Sequence, residues 1–179
     1  MQELMTGQGV EKGGGRRRVH PVRVGQGFDV HQLVPDRPLW LGGVEIPHDR
    51  GLEGHSDADV LLHAIMDAIL GAVGLPDIGV FFPNTDPQFK NIASRELLSR
   101  VGSEVRRAGF VVGNLDATVL AEAPKVGPFV ASMKEVIAKA LEIEPHQIGI
   151  KATTMERLGS VGRREGIAAM AVALLFDGE

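Results

Sequence analysis

Residues 167–176 read Ile167-Ala168-Ala169-Met170-Ala171-Val172-Ala173-Leu174-Leu175-Phe176, ten apolar positions without a charge. A short, uninterrupted apolar run of this kind is expected to form a strand buried on both faces. In a chain of 179 residues, one face should pack against helices and the other against a neighbouring subunit. Working outward, Ile148 to Thr153 and Phe110 to Ala121 are further strand candidates, and Val22 to His31 alternates like a strand whose glycines imply close backbone approach. Leu39 to Ile46 is a hairpin turning at Gly42-Gly43. Helical spacing covers Val60 to Leu70 with a stop at Gly71, and Ser94 to Ala108 with a stop at Gly109. Apolar residues from Phe129 to Leu141 recur at helical spacing behind Pro128. Ser56 is expected to cap the first helix, with Asp59 at capping-box spacing. Strands and helices mixed in this order predict an α+β fold, a sheet with helices packed on one face in a ferredoxin-like sandwich.

Composition narrows the function. Phe, Trp and Tyr together make up only 4% of the chain, so the core is aliphatic and platforms for stacking nucleic-acid bases are not expected. Cysteine is absent, which excludes disulfides, thiol nucleophiles, iron–sulfur clusters and cysteine-ligated zinc. Any metal must therefore sit on His, Asp or Glu. No apolar run reaches the ~18–20 residues of a membrane span, and a soluble protein of the cytoplasm is expected. The net charge of −4 is unevenly spread: ten acids between Asp29 and Asp86 face only Arg37 and Arg50. That excess argues against a nucleic-acid backbone as partner and suits cations. Residues 1–20 contain Gly13-Gly14-Gly15-Arg16-Arg17-Arg18 and read as a flexible basic tail, leaving 21–179 as a single domain.

The densest chemistry is Asp29-Val30-His31 followed by His63. Residues two apart on a strand share a face, so Asp29 and His31 can converge on one ion. Two imidazoles and one carboxylate make a three-ligand set for zinc with a fourth position open, the pattern of a catalytic site. By spacing alone, Asp29 reads equally as a strand-end carboxylate and the histidines as ordinary polar residues. His55 precedes the first helix, where backbone N–H groups favour an anion. Ala121-Glu122-Ala123-Pro124-Lys125 can edge-pair with a flat base, or simply lead into the next helix. Lys151-Ala152-Thr153-Thr154-Met155-Glu156 sets hydroxyls and a carboxylate at a strand end, and Glu156 suits Mg²⁺.

In one order the chain presents Gly-Phe-Asp-Val-His, His-Ser-Asp-Ala-Asp, Leu-His-Ala, Asp-Ile-Gly, Phe-Pro-Asn-Thr-Asp-Pro, Ala-Glu-Ala-Pro-Lys and Lys-Ala-Thr-Thr-x-Glu. With Gly159, Gly162-Arg163 and Glu165 to Ala168, these closely resemble the 2-C-methyl-D-erythritol 2,4-cyclodiphosphate synthase family over residues 22–176. The resemblance implies cyclisation of 4-diphosphocytidyl-2-C-methyl-D-erythritol 2-phosphate with release of CMP, in the non-mevalonate isoprenoid route. It makes Asp29, His31 and His63 the zinc ligands, and Glu156 the holder of a second divalent cation, Mg²⁺ or Mn²⁺. His55 and Thr154 become the transition-state stabilisers, with Ser56 beside them. Asp77, Ile78, Gly79 and the loop Phe82, Pro83, Asn84, Thr85, Asp86 would hold the methylerythritol hydroxyls. Ala121, Glu122, Ala123, Pro124, Lys125, Val126, Gly127 and Thr153 would cradle the cytidine. Arg163 and Glu165 would stand near the axis of a homotrimer with active sites between protomers. Three positions depart from the family pattern: Asn84 for Asp, Met155 for Thr, and Ser160 for an aromatic.

The implied chemistry fits the residue types. The nucleophile is the substrate's own 2-phosphate, so no activated Ser or strong general base is needed. The obstacle is repulsion between phosphates, roughly 4 kcal/mol for two unit charges ~4 Å apart at an effective dielectric of ~20. Bound cations relieve that repulsion and orient an in-line displacement. Two other readings share the metal set: a zinc-dependent phosphohydrolase, and a zinc-stabilised, non-enzymatic isoprenoid-binding trimer closed by a fourth ligand such as Asp59 or Asp67.

Overall fold

The computed structural model describes residues 22–178. The basic, glycine-rich stretch at the N-terminus therefore lies outside the described residues. In chain order the main elements are β1 (Val22–Pro35), β2 (Leu39–Leu41), β3 (Val44–Ile46), β4 (Arg50–Leu52), α1 (Val60–Ala72), α2 (Ile78–Phe81), α3 (Ser94–Arg107), β5 (Phe110–Leu120), α4 (Val130–Leu141), β6 (Ile148–Thr153), α5 (Gly159–Gly162) and β7 (Gly166–Asp177). The sheet order is β4-β1-β7-β5-β6, which puts the apolar C-terminal strand at its centre. β7 runs antiparallel to β1 and to β5, whereas β5 and β6 run parallel. A parallel pair needs a crossover, and α4 supplies it. The sheet is therefore mixed, and its order differs in that respect from the wholly antiparallel ferredoxin-like sandwich.

One face of β7 is buried through Ala169, Ala171, Ala173 and Leu175. On the other face Met170, Val172 and Phe176 remain 45%, 43% and 37% exposed. In a single chain only the face expected to meet helices is covered, and the face expected to meet a neighbouring subunit is exposed. α1 spans β1 and β7 on the covered face. Its Leu61, Leu62, Ile65, Met66, Ile69 and Leu70 are fully buried, each contributing about 2 kcal/mol of hydrophobic stabilisation.

Glycines in β1 set how close that helix comes. A Cβ at Gly27 would lie 2.0 Å from the Ala64 carbonyl oxygen, and one at Gly25 equally close to that of Ala68. The helix backbone rests directly on the strand. That contact delivers His63, the residue before Ala64, to the level of Asp29 and His31.

The start of α1 differs from the sequence reading. Its N-cap is Asp59, whose carboxylate accepts the Leu62 N–H at 3.1 Å, and Ser56 instead accepts the Ala58 N–H. Ala58 has a left-handed φ of 57°, which breaks the helical path before Asp59. The same carboxylate accepts N–H groups from Gly42 (2.9 Å) and Gly43 (2.6 Å), so one buried side chain both caps the helix and pins the β2–β3 turn. Both glycines have positive φ, as a two-residue hairpin requires. At its other end α1 continues through Gly71 and stops where Gly74 turns left-handed.

Candidate active site

Asp29 and His31 extend from one face of β1, and His63 meets them from α1. Asp29 Oδ2 lies 3.0 Å from His31 Nε2 and 3.0 Å from His63 Nδ1, and the two ring nitrogens are 3.3 Å apart. Burial raises the Asp29 carboxyl, but hydrogen bonds to both imidazoles and their charge outweigh it and hold the group well below the usual carboxylate range. For His31, burial pulls the ring down, while Asp29 and the Glu53 carbonyl prevail and raise it.

These donors suit a metal ion. Tetrahedral zinc with ligand bonds near 2.0–2.1 Å spaces its ligand atoms about 3.3 Å apart, close to the triangle found here. The His31 Nδ1–H donates to the Glu53 carbonyl at 2.6 Å, which leaves the Nε2 lone pair directed into the cluster. Asp29, His31 and His63 form a possible metal site among the described residues. Neither proposed fourth ligand closes it. The Asp59 carboxylate is fully buried on three N–H groups, and Asp67 accepts the Ile78 N–H at 2.9 Å. Burial raises the Asp67 carboxyl, with Asp77 and Asp29 adding to it.

The triad borders a cavity of about 480 Å³, within the range of small-molecule sites. Of the residues expected to contact substrate, His55, Ser56, Ile78, Gly79, Phe82 and Asn84 line it. His55 does not stand at a helix N-terminus, because α1 begins only at Val60. Instead Arg37 braces its loop, donating to the carbonyls of Gly54 (2.9 Å) and Ser56 (2.8 Å). Asp77, Pro83, Thr85 and Asp86 belong to the same wall segment but not to the lining. Asp77 caps α2 through the Val80 N–H, and Asp86 holds Gln88, whose hydrogen bonds lower its carboxyl. Sequence reasoning missed Phe89, Ile92 and Leu97, the apolar wall, and also Arg37; no local pattern marks them.

A second group stands elsewhere on the same rim. Thr153 pairs with Leu120, Leu120 with Ala168, and Ala168 with Val30. Three strand spacings, about 14 Å, thus separate Thr153 from the metal triad. Glu122 folds the neighbouring loops together by accepting the N–H groups of Met155 (2.9 Å) and Arg157 (3.0 Å). The Thr154 hydroxyl donates to Glu156, and both residues are exposed. Ala121 to Gly127, Thr153, Thr154 and Glu156 do not line the cavity in one chain. Arg163 grips Glu165 by two bonds of 2.7 and 3.1 Å, which raises the guanidinium and lowers the carboxyl. No helix of the described residues is long and apolar enough to cross a membrane.

A mixed α+β sheet carrying an open Asp/His/His site beside a cavity of small-molecule size defines a candidate metal-dependent enzyme of small-molecule chemistry. Comparison with known proteins narrows that class. The family model described as the YgbB family matches residues 22–176, and the chain belongs to this family, that of the 2-C-methyl-D-erythritol 2,4-cyclodiphosphate synthases. The synthase of that name from Enterococcus faecalis is 61% identical over 154 residues, 86% of this chain and 98% of its own. The one from Synechococcus elongatus is 59% identical over 153 residues, 86% of this chain and 96% of its own. Among solved structures, a Plasmodium falciparum IspF determined as a CDP complex superposes with a TM-score of 0.78 at 32% identity, covering 89% of this chain and 99% of that one. The bifunctional IspDF from Campylobacter jejuni gives 0.86 at 45% identity over 89% of this chain, which spans 43% of that longer protein.

Proposed function

We propose that this protein converts 4-diphosphocytidyl-2-C-methyl-D-erythritol 2-phosphate to 2-C-methyl-D-erythritol 2,4-cyclodiphosphate and CMP. It is a phosphorus–oxygen lyase of the non-mevalonate isoprenoid pathway. The observation that carries the reading is the Asp29-His31-His63 triad opening onto the cavity, in a chain about 60% identical to synthases of that name. Asp29 Oδ2, His31 Nε2 and His63 Nδ1 would hold zinc, and Glu156 a Mg²⁺ or Mn²⁺ ion. Such cations supply positive charge to the diphosphate.

An oxygen of the substrate's 2-phosphate attacks the β-phosphorus, and the bond from that phosphorus to the CMP oxygen breaks. The chain's task is to hold the two phosphates together against their repulsion. His55, on the cavity wall, donates an N–H to a phosphate oxygen, and the Thr154 hydroxyl serves the diphosphate. Asp77 to Gly79 and Phe82 to Asp86 grip the methylerythritol. Ala121 to Gly127 with Thr153 receive the cytidine, and a protein crystallised with CDP at this fold supports a cytidine nucleotide as ligand.

The two halves of this machinery meet between protomers of a homotrimer. The separation of about 14 Å along one rim and the exposed apolar face of β7 support that assembly. Residues 21–179 make up the catalytic unit, and removal of 1–20 leaves turnover unchanged. The reading is tested by turnover: zinc-loaded protein given this substrate and Mg²⁺ releases CMP, and chelation of the metal stops it. Zinc-loaded, folded protein that leaves the substrate intact would overturn it.

A further inference from the structure

His63 binds as a metal ligand only if its Nδ1 carries a lone pair. Two acceptors compete for the proton of the neutral ring. Asp29 Oδ2, 3.0 Å from Nδ1, favours the proton there, which is the tautomer that cannot ligate. Ser94 Oγ, 3.0 Å from Nε2, favours the other tautomer, provided that it acts as acceptor.

The surroundings of Ser94 decide its role. This residue is fully buried and opens α3. Its hydroxyl lies 2.5 Å from Asp57 Oδ1, and its backbone N–H donates to Asp57 Oδ2 at 2.8 Å. The Ser94 hydroxyl donates to one Asp57 oxygen and its backbone N–H to the other, so Asp57 fixes how the hydroxyl points. The Oγ lone pairs then face His63 Nε2. The other nearby hydroxyl, of Ser56, is 3.4 Å from that nitrogen and already accepts the Ala58 N–H at 3.1 Å.

We infer that Asp57 and Ser94 are positioning residues for His63: their hydrogen-bond chain offers an acceptor to the Nε2–H and so fixes the ring with Nδ1 free to bind an ion held by Asp29 and His31. The inference rests on the reading of the triad as a zinc site. His31 is set in the same sense by the Glu53 carbonyl, so each imidazole has its own outer partner. The arrangement also couples the metal ligand to the first turn of α3, an element that bears none of the three ligands.

Zinc affinity, measured by competition with a chelator of known strength, tests this in the wild type, Ser94→Ala, Ser94→Thr, Asp57→Asn and His63→Ala. ¹H–¹⁵N spectra of the zinc-loaded proteins report the His63 Nε2–H resonance, which lies downfield while that proton is hydrogen-bonded. Ser94→Ala is expected to weaken zinc binding about 10- to 100-fold and to shift the Nε2–H resonance upfield as its acceptor is lost. Ser94→Thr keeps the hydroxyl and should restore both readouts. Asp57→Asn, in which the amide can donate to Ser94 Oγ and release its hydroxyl proton toward His63, should shift both readouts in the same direction as Ser94→Ala. Undiminished affinity in Ser94→Ala, a loss of zinc affinity with the Nε2–H resonance unmoved, or an equal loss in Ser94→Thr would overturn the inference. A wild type that binds zinc no better than His63→Ala would overturn the metal reading itself.

Discussion

His63 and Glu156 are assigned to different ions, and single substitutions separate them. His63→Ala removes one of three ligands, so the purified protein should lose zinc, and excess Mg²⁺ should not restore CMP release. Glu156→Ala leaves the triad intact; it should keep its zinc and regain part of its activity in high Mg²⁺ or Mn²⁺. Metal analysis beside a CMP-release titration reads both, and the opposite pattern would exchange the two assignments. Removing zinc should also change how stability responds to pH. In the metal-free chain His31 is raised by Asp29, so its contribution is complete below the ordinary imidazole value and is lost as pH rises through the raised one. The melting temperature of the metal-free protein should therefore increase as pH falls through the raised value toward the ordinary one of 6.5. In the zinc-loaded protein protons compete with the ion, and the same change should lower it. Spacing offered the triad, because an Asp-x-His on a strand places both side chains on one face, and the family resemblance decided it against an ordinary polar reading. Spacing did not offer Ser94, since its partners Asp57 and His63 lie 37 and 31 residues away.

α1 and β1 act as one unit at the level of elements. Gly27→Ala puts a methyl group 2.0 Å from the Ala64 carbonyl, and the helix must move away from the strand that carries Asp29 and His31. The substitution should cost about 3 kcal/mol and weaken zinc binding at the same time. A chemical denaturation curve with a chelator competition would show both losses, and an unchanged zinc affinity would mean that α1 does not set the site. The long elements could be read from the chain: Ile148–Thr153 is found as a strand over the expected residues, and Ser94–Arg107 as a helix ended before Gly109. β4, α2 and α5 could not, because three or four residues are too few to show a period. The cap of α1 was misplaced for another reason. Ser56 and Asp59 both have capping side chains, and the left-handed Ala58 that decides between them leaves no mark in the local sequence.

At the scale of the whole molecule, the outward face of the sheet presents Val24, Phe28, Val30, Met170, Val172 and Phe176 to solvent. An apolar surface of that kind supports the proposed interface between protomers. Val172→Asp should leave the chain folded, since this side chain packs on no helix, and should give monomers in sedimentation with little CMP release. Mixing tests where the sites lie. His63→Ala and Thr154→Ala trimers, each inactive, should regain about one quarter of wild-type activity after subunit exchange, because random pairing across each interface unites two intact halves at that frequency. Continued inactivity of mixed trimers would place each site within one chain. Spacing offered the metal half of the site without deciding it; the Thr153–Glu156 half rested on resemblance, since no spacing rule links loops at the ends of β5 and β6 to α1. The most direct measurement is a ³¹P NMR time course of the zinc-loaded protein with 4-diphosphocytidyl-2-C-methyl-D-erythritol 2-phosphate and Mg²⁺. The expected spectra show CMP growing in equal amount with the coupled resonances of the cyclic diphosphate, and no inorganic phosphate. Inorganic phosphate, or CMP accompanied by an open-chain product, would contradict cyclisation and make the same metal site hydrolytic.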